Sequence, residues 1–287
     1  MISRAHINLF LALSQKSETQ GTSPTVTRGS SPTVKEGSSV LTSESEPSFT
    51  VGLLPQALLP TFEAKPLFIA ITLVLVLTSV SQGKPKWHVL FDGKSTTEWR
   101  GFRRDSFPAK CWQLEDGSIK TVGGCDKSDQ VDIVTKQKYR NFELELEWRV
   151  APGANSGIVY LISEDQDQTW KTGPEMQVLD DDKHPDGKKP STSAGSLFDL
   201  IAPENKTLKP VGEYNKARVV INNGHVEHWL NGNKILEYDL GSALFKELIA
   251  KSKFKEFPRF ALNSEGLIAL QYHGDDVWYR KIRIRAL

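Results

Sequence analysis

Cysteine is scarce in these 287 residues, with two in all, and neither charge sign prevails: 36 Lys and Arg face 35 Asp and Glu, a formal net charge of +1. A balance near zero argues against a partner recognised by bulk charge, so no nucleic acid is expected. The chain has no Gly-rich dinucleotide or phosphate loop, no Ser-centred nucleophile elbow and no helix with paired histidines for zinc. The two cysteines, Cys111 and Cys125, form no Cys-x-x-Cys pair and have no metal-ligand partner at short spacing, which excludes thiol redox chemistry and a Cys-based metal site. Long helical patterns are also missing, and only Ser242 to Lys253 carries apolar residues at helical spacing.

Three regions follow one another. Residues 1–64 are rich in Ser, Thr, Pro and Gly with almost no apolar periodicity, the composition of a disordered extension. Residues 65–82 contain Lys65-Pro66, an apolar run from Leu67 to Leu77 and small residues at Thr78, Ser79 and Ser81, the pattern of a signal peptide. A signal that starts so far into the chain suggests a translation start just before Lys65. The exported domain is then periplasmic or extracellular, with no stable membrane association after cleavage. A membrane anchor through residues 66–80 is the alternative, although the run is short for a span. Residues 83–287 suffice for one large β domain with its own core.

Within that domain nearly every segment reads as strand. Phe142, Leu144, Leu146 and Trp148 alternate with Glu143, Glu145, Glu147 and Arg149, which predicts a strand with Trp148 in the core and the carboxylates in water. Ile158 to Ile162 reads as a central strand. Asn223-Gly224 predicts a two-residue hairpin loop that pairs Ile221 with Val226, Val219 with His228 and Ala217 with Leu230. His228 then lies among apolar residues, as a hydrogen-bonded core side chain or a site histidine. Pairing Leu114 with Ile119 around Asp116-Gly117 sets Cys111 opposite Val122, so a disulfide to Cys125 needs a bend at Gly123-Gly124. Many short strands with regular turn signals predict an all-β sandwich of two antiparallel sheets, with at most one or two short helices.

The stretch with most promise for chemistry is Gly173 to Asp180. Glu175 and Gln177 share a face of a regular strand, and Asp180 joins them only if one extra residue bulges between Gln177 and Asp180. An edge strand with its polar residues in water would look the same.

Several segments in order resemble the 3-keto-disaccharide hydrolase family: Leu90-Phe91-Asp92-Gly93-Lys94, Tyr139-Arg140-Asn141-Phe142, Asn155-Ser156-Gly157-Ile158, Glu175-Met176-Gln177-Val178-Leu179-Asp180, His228-Trp229-Leu230-Asn231-Gly232, and Gln271-Tyr272-His273-Gly274 with Tyr279-Arg280. The resemblance runs from about Trp87 to the C-terminus. It implies a concanavalin A-like jelly roll of two curved sheets with a carbohydrate site on the concave face. Two positions depart from the family pattern, which often has Arg where Leu161 stands and Asn where Lys281 stands.

That resemblance implies attack on a sugar already oxidised at C3. The ketone acidifies the C2 proton, base removal of that proton expels the glycosidic oxygen from C1, and water adds to the enone. Glu175 or His273 is the candidate base, with Asp180 and His184 as acid partners or as ligands of a divalent metal. Asn155, Gln177, Gln271 and His228 are expected to contact substrate, and Trp170 or Arg280 to line the cleft. A retaining glycosidase using Glu175 and Asp180 is the second reading. A binding module whose platforms are Trp170, Trp229 and Trp278 is the third.

Overall fold

The computed structural model describes residues 85–287. The expectations for residues 1–64 and 65–82 concern residues outside the described ones. Thirteen strands form two antiparallel sheets among the described residues. In chain order they are β1 (His88–Phe91), β2 (Trp99–Gly101), β3 (Trp112–Glu115), β4 (Ser118–Thr121), β5 (Ile133–Thr135), β6 (Phe142–Val150), β7 (Asn155–Ile162), β8 (Glu175–Leu179), β9 (Asn215–Asn222), β10 (His225–Leu230), β11 (Asn233–Asp239), β12 (Leu267–Leu270) and β13 (Val277–Ala286). The larger sheet runs β11-β10-β9-β6-β13-β4-β3, with β1 also on β13; the smaller runs β2-β5-β12-β7-β8.

The core fills the space between the sheets. Phe142, Leu144, Leu146 and Trp148 from β6 meet Ile158 and Tyr160 from β7 and Met176 and Val178 from β8, all buried. The expected hairpin register is present pair by pair, with Ile221 opposite Val226 and Val219 opposite His228. Asn223 and Gly224 both take positive φ, 51° and 85°, as a two-residue loop of this hand requires. The single α-helix among the described residues, α1 (Ala243–Lys251), follows Ser242, whose hydroxyl accepts from the Phe245 amide.

Cys111 and Cys125 are bonded, and Gly124 supplies the bend at φ 71° while Val122 donates to the Cys111 carbonyl. No helix of the described residues is long and apolar enough to cross a membrane.

Two expectations change. The carboxylates of β6 do not stand in open water, because cations on neighbouring strands cover them. Arg218 and Arg285 hold Glu143, Arg283 and Lys216 hold Glu145, and Arg280 and Lys281 hold Glu147. The ladder leaves Glu143 and Glu145 buried. Leu161 and Lys281, the two departures from the family pattern, both adopt left-handed backbone, φ 55° and 51°. Lys281 sits in a bulge of β13 against β6, where Asn is favoured because its short side chain tolerates that region. Leu161 is buried in the core beside another shift in register. Neither position reaches the site described next.

Candidate functional site

The outer face of the smaller sheet holds most of the polar candidates. Because Met176 and Val178 point inward, Glu175 and Gln177 of β8 point outward, beside Gly157 and Asn155 of β7. Gly157 is opposite Gln177, and a methyl group there would overlap the Glu175 carboxyl, so the bare backbone at 157 is what lets Glu175 lie across the strand.

Although β8 is an edge strand by its ladder, residues 195–198 cover its free side. Gly195 donates to the Gln177 carbonyl, Gln177 to Ser196 and Phe198 to Glu175. Glu175 is consequently buried, at 6% exposure. Burial pushes its carboxyl up to about 8, against the opposing pull of the Lys253 ammonium and with the charges of Asp132 and Asp186 adding to the rise. At neutral pH Glu175 therefore holds a proton. Asn155 Oδ1 and Gln177 Oε1, both buried, have no hydrogen-bond partner among the described residues. Orphaned oxygens beside a protonated carboxyl mark a surface whose polar groups are completed by something other than the protein.

Two imidazoles stand next to this surface. The His184 and His273 rings lie edge to face at 6.1 Å, and His184 Nε2 is 3.5 Å from the Asn155 amide nitrogen. His184 Nδ1 accepts from the Asp186 amide at 3.1 Å, so in the neutral ring the proton sits on Nε2, which then faces the Asn155 side-chain nitrogen donor to donor and shares no hydrogen bond with it. His273 is about half exposed, and its Nδ1 lies 3.5 Å from Asp275, which also accepts from the Asn155 backbone N–H at 3.0 Å. Gln271 is tied in through its backbone, its N–H donating to Gly157 and its carbonyl accepting from Ser156. Trp170 packs edge-on against Phe257 at 5.0 Å, and the Lys253 ammonium that acts on Glu175 lies 5.3 Å from its ring.

Three sequence candidates fall elsewhere. Asp180 is the first, because β8 pairs with β7 without a register shift; with no bulge, alternation separates Asp180 from Glu175 and Gln177. Both of its oxygens are used by the turn, accepting from Gly153 at 2.6 Å and Asp182 at 3.0 Å. His228 lies between the sheets, fully buried, with burial depressing its imidazole to about 4. The Gly195 carbonyl fixes the proton on His228 Nδ1, Nε2 accepts from Tyr160, and Tyr160 in turn accepts from Tyr238. Arg280 is on the far face of the larger sheet, bound to Glu147 and stacked over Tyr214.

The metal and platform expectations meet similar limits. With Asp180 engaged by amides and the His184 proton on Nε2, that pair does not suit a divalent cation. Trp229 and Trp278 are on the larger sheet, each with a guanidinium over its ring, from Arg218 at 3.8 Å and Arg149 at 4.3 Å. That leaves Trp170 as the aromatic candidate beside the polar cluster. Sequence reasoning missed Asp132, Lys253 and Asp275, which belong to no motif on their own; Asp132 and Lys253 are brought to Glu175 only by folding.

Comparison with known proteins agrees with this architecture. Residues 86–285 match the model of the 3-keto-alpha-glucoside-1,2-lyase-like domain. A Bacteroides thetaiotaomicron protein named 3-keto-disaccharide hydrolase is 40% identical over 225 residues, 69% of this chain and 77% of that protein. A Parabacteroides distasonis crystal structure described as a "putative glycosyl hydrolase" is 32% identical with a TM-score of 0.64, covering 70% of this chain and 94% of that one. A second structure from that organism, described in the same words, is 30% identical with a TM-score of 0.54 and is covered completely.

Proposed function

Because the chain belongs to the family of 3-keto-alpha-glucoside-1,2-lyase-like domains, we propose that it is a carbohydrate-active enzyme that cleaves 3-keto-glycosides by elimination and hydration. The observation that carries this reading is the buried Glu175 on the same sheet face as Asn155, whose side chain His184 approaches, with the His273 ring against that of His184.

The division of labour follows from protonation. Elimination needs a base at C2, donors at the C3 oxygen and an acid at the leaving oxygen of C1. Glu175 arrives with its proton and suits the acid; His273, exposed and backed by Asp275, suits the base. His184 Nε2–H and the Asn155 and Gln177 amides suit the developing enolate. In the first half, His273 takes the C2 proton, the C2–H electrons form the enolate, and its collapse breaks the C1–O bond as Glu175 protonates the departing oxygen. In the second, the Glu175 carboxylate takes a proton from water, hydroxide adds to C1 of the enone, and His273 returns a proton to C2. The sum is one 3-keto-glycoside plus one water giving the free 3-keto sugar and the alcohol of the leaving group, with both residues restored.

The direct test is turnover of a 3-keto-glycoside and of its unoxidised parent by the purified protein. Cleavage of the first alone is expected, with Glu175→Gln and His273→Gln each costing on the order of 10²-fold in kcat. Cleavage of the parent at an equal rate would overturn the reading.

Export is part of the same proposal. A disulfide between Cys111 and Cys125 suits an oxidising compartment, which is where a signal at residues 65–82 would deliver the domain. N-terminal sequencing of the secreted protein tests it, and a mature chain that keeps residues before Lys65 would refute it.

A further inference from the structure

We propose that Asp132 is a positioning residue that clamps the two walls of this site together. It stands just before β5, partly buried, and neither of its carboxyl oxygens is idle. One accepts from the Tyr272 amide at 2.8 Å, fixing the backbone immediately before His273; the other accepts from the Thr169 hydroxyl at 2.5 Å, fixing the turn that carries Trp170. The two walls are far apart in sequence, and this carboxylate is hydrogen-bonded to both.

Hydrogen-bond accounting indicates why the residue is an acid. Both donors, an amide and a hydroxyl, need acceptors, and an ionised carboxylate offers two without rearrangement. Burial raises the Asp132 carboxyl to about 6, with the bonds from Thr169 and Tyr272 and the neighbouring His273 acting the other way. Its charge also reaches Glu175, together with those of Lys253 and Asp186, and helps to keep the Glu175 proton in place. A single carboxylate thus ties the backbone of one wall to the turn of the other and places a negative charge that acts on Glu175.

Asp132→Asn separates clamp from charge. Its amide can accept from Tyr272 and donate to the Thr169 hydroxyl, so both walls stay tied while the charge is lost. Thr169→Val does the reverse, releasing the Trp170 wall and keeping the charge. In the full chain, Glu175 is followed by carbon-13 NMR of labelled glutamate carboxyls, its resonance identified by its loss in Glu175→Gln. The expected result is that Asp132→Asn lowers the pH at which Glu175 titrates while Thr169→Val leaves it in place. On a 3-keto-glycoside, Asp132→Asn moves the alkaline limb of the kcat profile to lower pH, and Thr169→Val raises KM more than it lowers kcat. An unmoved Glu175 titration in Asp132→Asn, or identical kinetic effects of the two variants, would overturn the inference. Its kinetic arm rests on the 3-keto-glycoside reading; the NMR arm does not, so a protein that leaves such substrates intact would refute that reading while the titration still decides the role of Asp132.

Discussion

Replacing Glu175 by Gln is expected to stabilise the protein and disable it, and the size of the gain follows from linkage. An unfolded chain ionises this carboxyl near its ordinary value of 4.5, whereas in the fold burial holds the proton until about pH 8. Between those values the folded state binds more protons than the unfolded one, so this residue subtracts stability as pH rises. The loss accumulates at about 1.4 kcal/mol per pH unit, reaching about 3 kcal/mol at pH 7 and levelling near 5 kcal/mol above pH 8. Glutamine keeps the shape and never ionises. The difference in unfolding free energy between variant and wild type, from urea titrations at pH 5, 6, 7 and 8, is therefore expected to grow with pH in favour of the variant. The difference isolates Glu175, because His228 works in the opposite sense. Its folded value of about 4 lies below that of the unfolded imidazole, so it removes stability as pH falls through that window. A flat difference, or a variant that is less stable at pH 8, would refute the assignment of Glu175 as a buried acid.

Other variants probe the remaining parts. Gly157→Ala places a methyl group against the Glu175 carboxyl; the fold survives because a side chain rather than backbone must yield, and kcat falls on the order of 10²-fold as the acid is displaced. His228→Leu leaves the Tyr160 hydroxyl and the Gly195 carbonyl without their partner, costing about 2–3 kcal/mol in urea unfolding while activity per folded molecule is retained. A matching loss of activity with stability intact would return His228 to the site. Lys281→Asn relieves left-handed strain in the β13 bulge and raises stability by about 1 kcal/mol with kinetics unchanged. Substituting both Cys111 and Cys125 by Ser opens a bridge spanning 14 residues and lowers stability by about 3 kcal/mol, read as a fall in the urea midpoint.

Much of the fold could be read from local pattern, because its signals are short-range. Two-residue periodicity fixed the inner side of β6, and Asn223-Gly224 fixed the register of β9 with β10, as the pairs Ile221–Val226 and Val219–His228 attest. The site was less legible for a reason visible in particular residues. Asp180 turned on whether one residue bulges, a difference invisible in composition that reverses a side chain, and β8 runs without that bulge. Arg280 is close to His273 in sequence, but β13 carries it to the opposite sheet and onto Glu147. Asp132 and Lys253 act on Glu175 across long stretches of chain, so no spacing rule could have joined them to it. The carboxylates of β6 read as solvated because the sequence does not reveal that arginines from β9 and β13 lie across them.

The central claim is that the glycosidic bond breaks by removal of the C2 proton, and the most direct measurement follows that atom. A 3-keto-glycoside deuterated at C2 is incubated with the protein in ordinary water, and the released 3-keto sugar is analysed by mass spectrometry beside an enzyme-free control for spontaneous exchange. The account predicts a slowed reaction and a product that has lost its deuterium, with His273→Gln slowing release and loss together on the order of 10²-fold. A product that keeps the label at C2, formed at an undiminished rate, would mean direct hydrolysis at C1 and would contradict it.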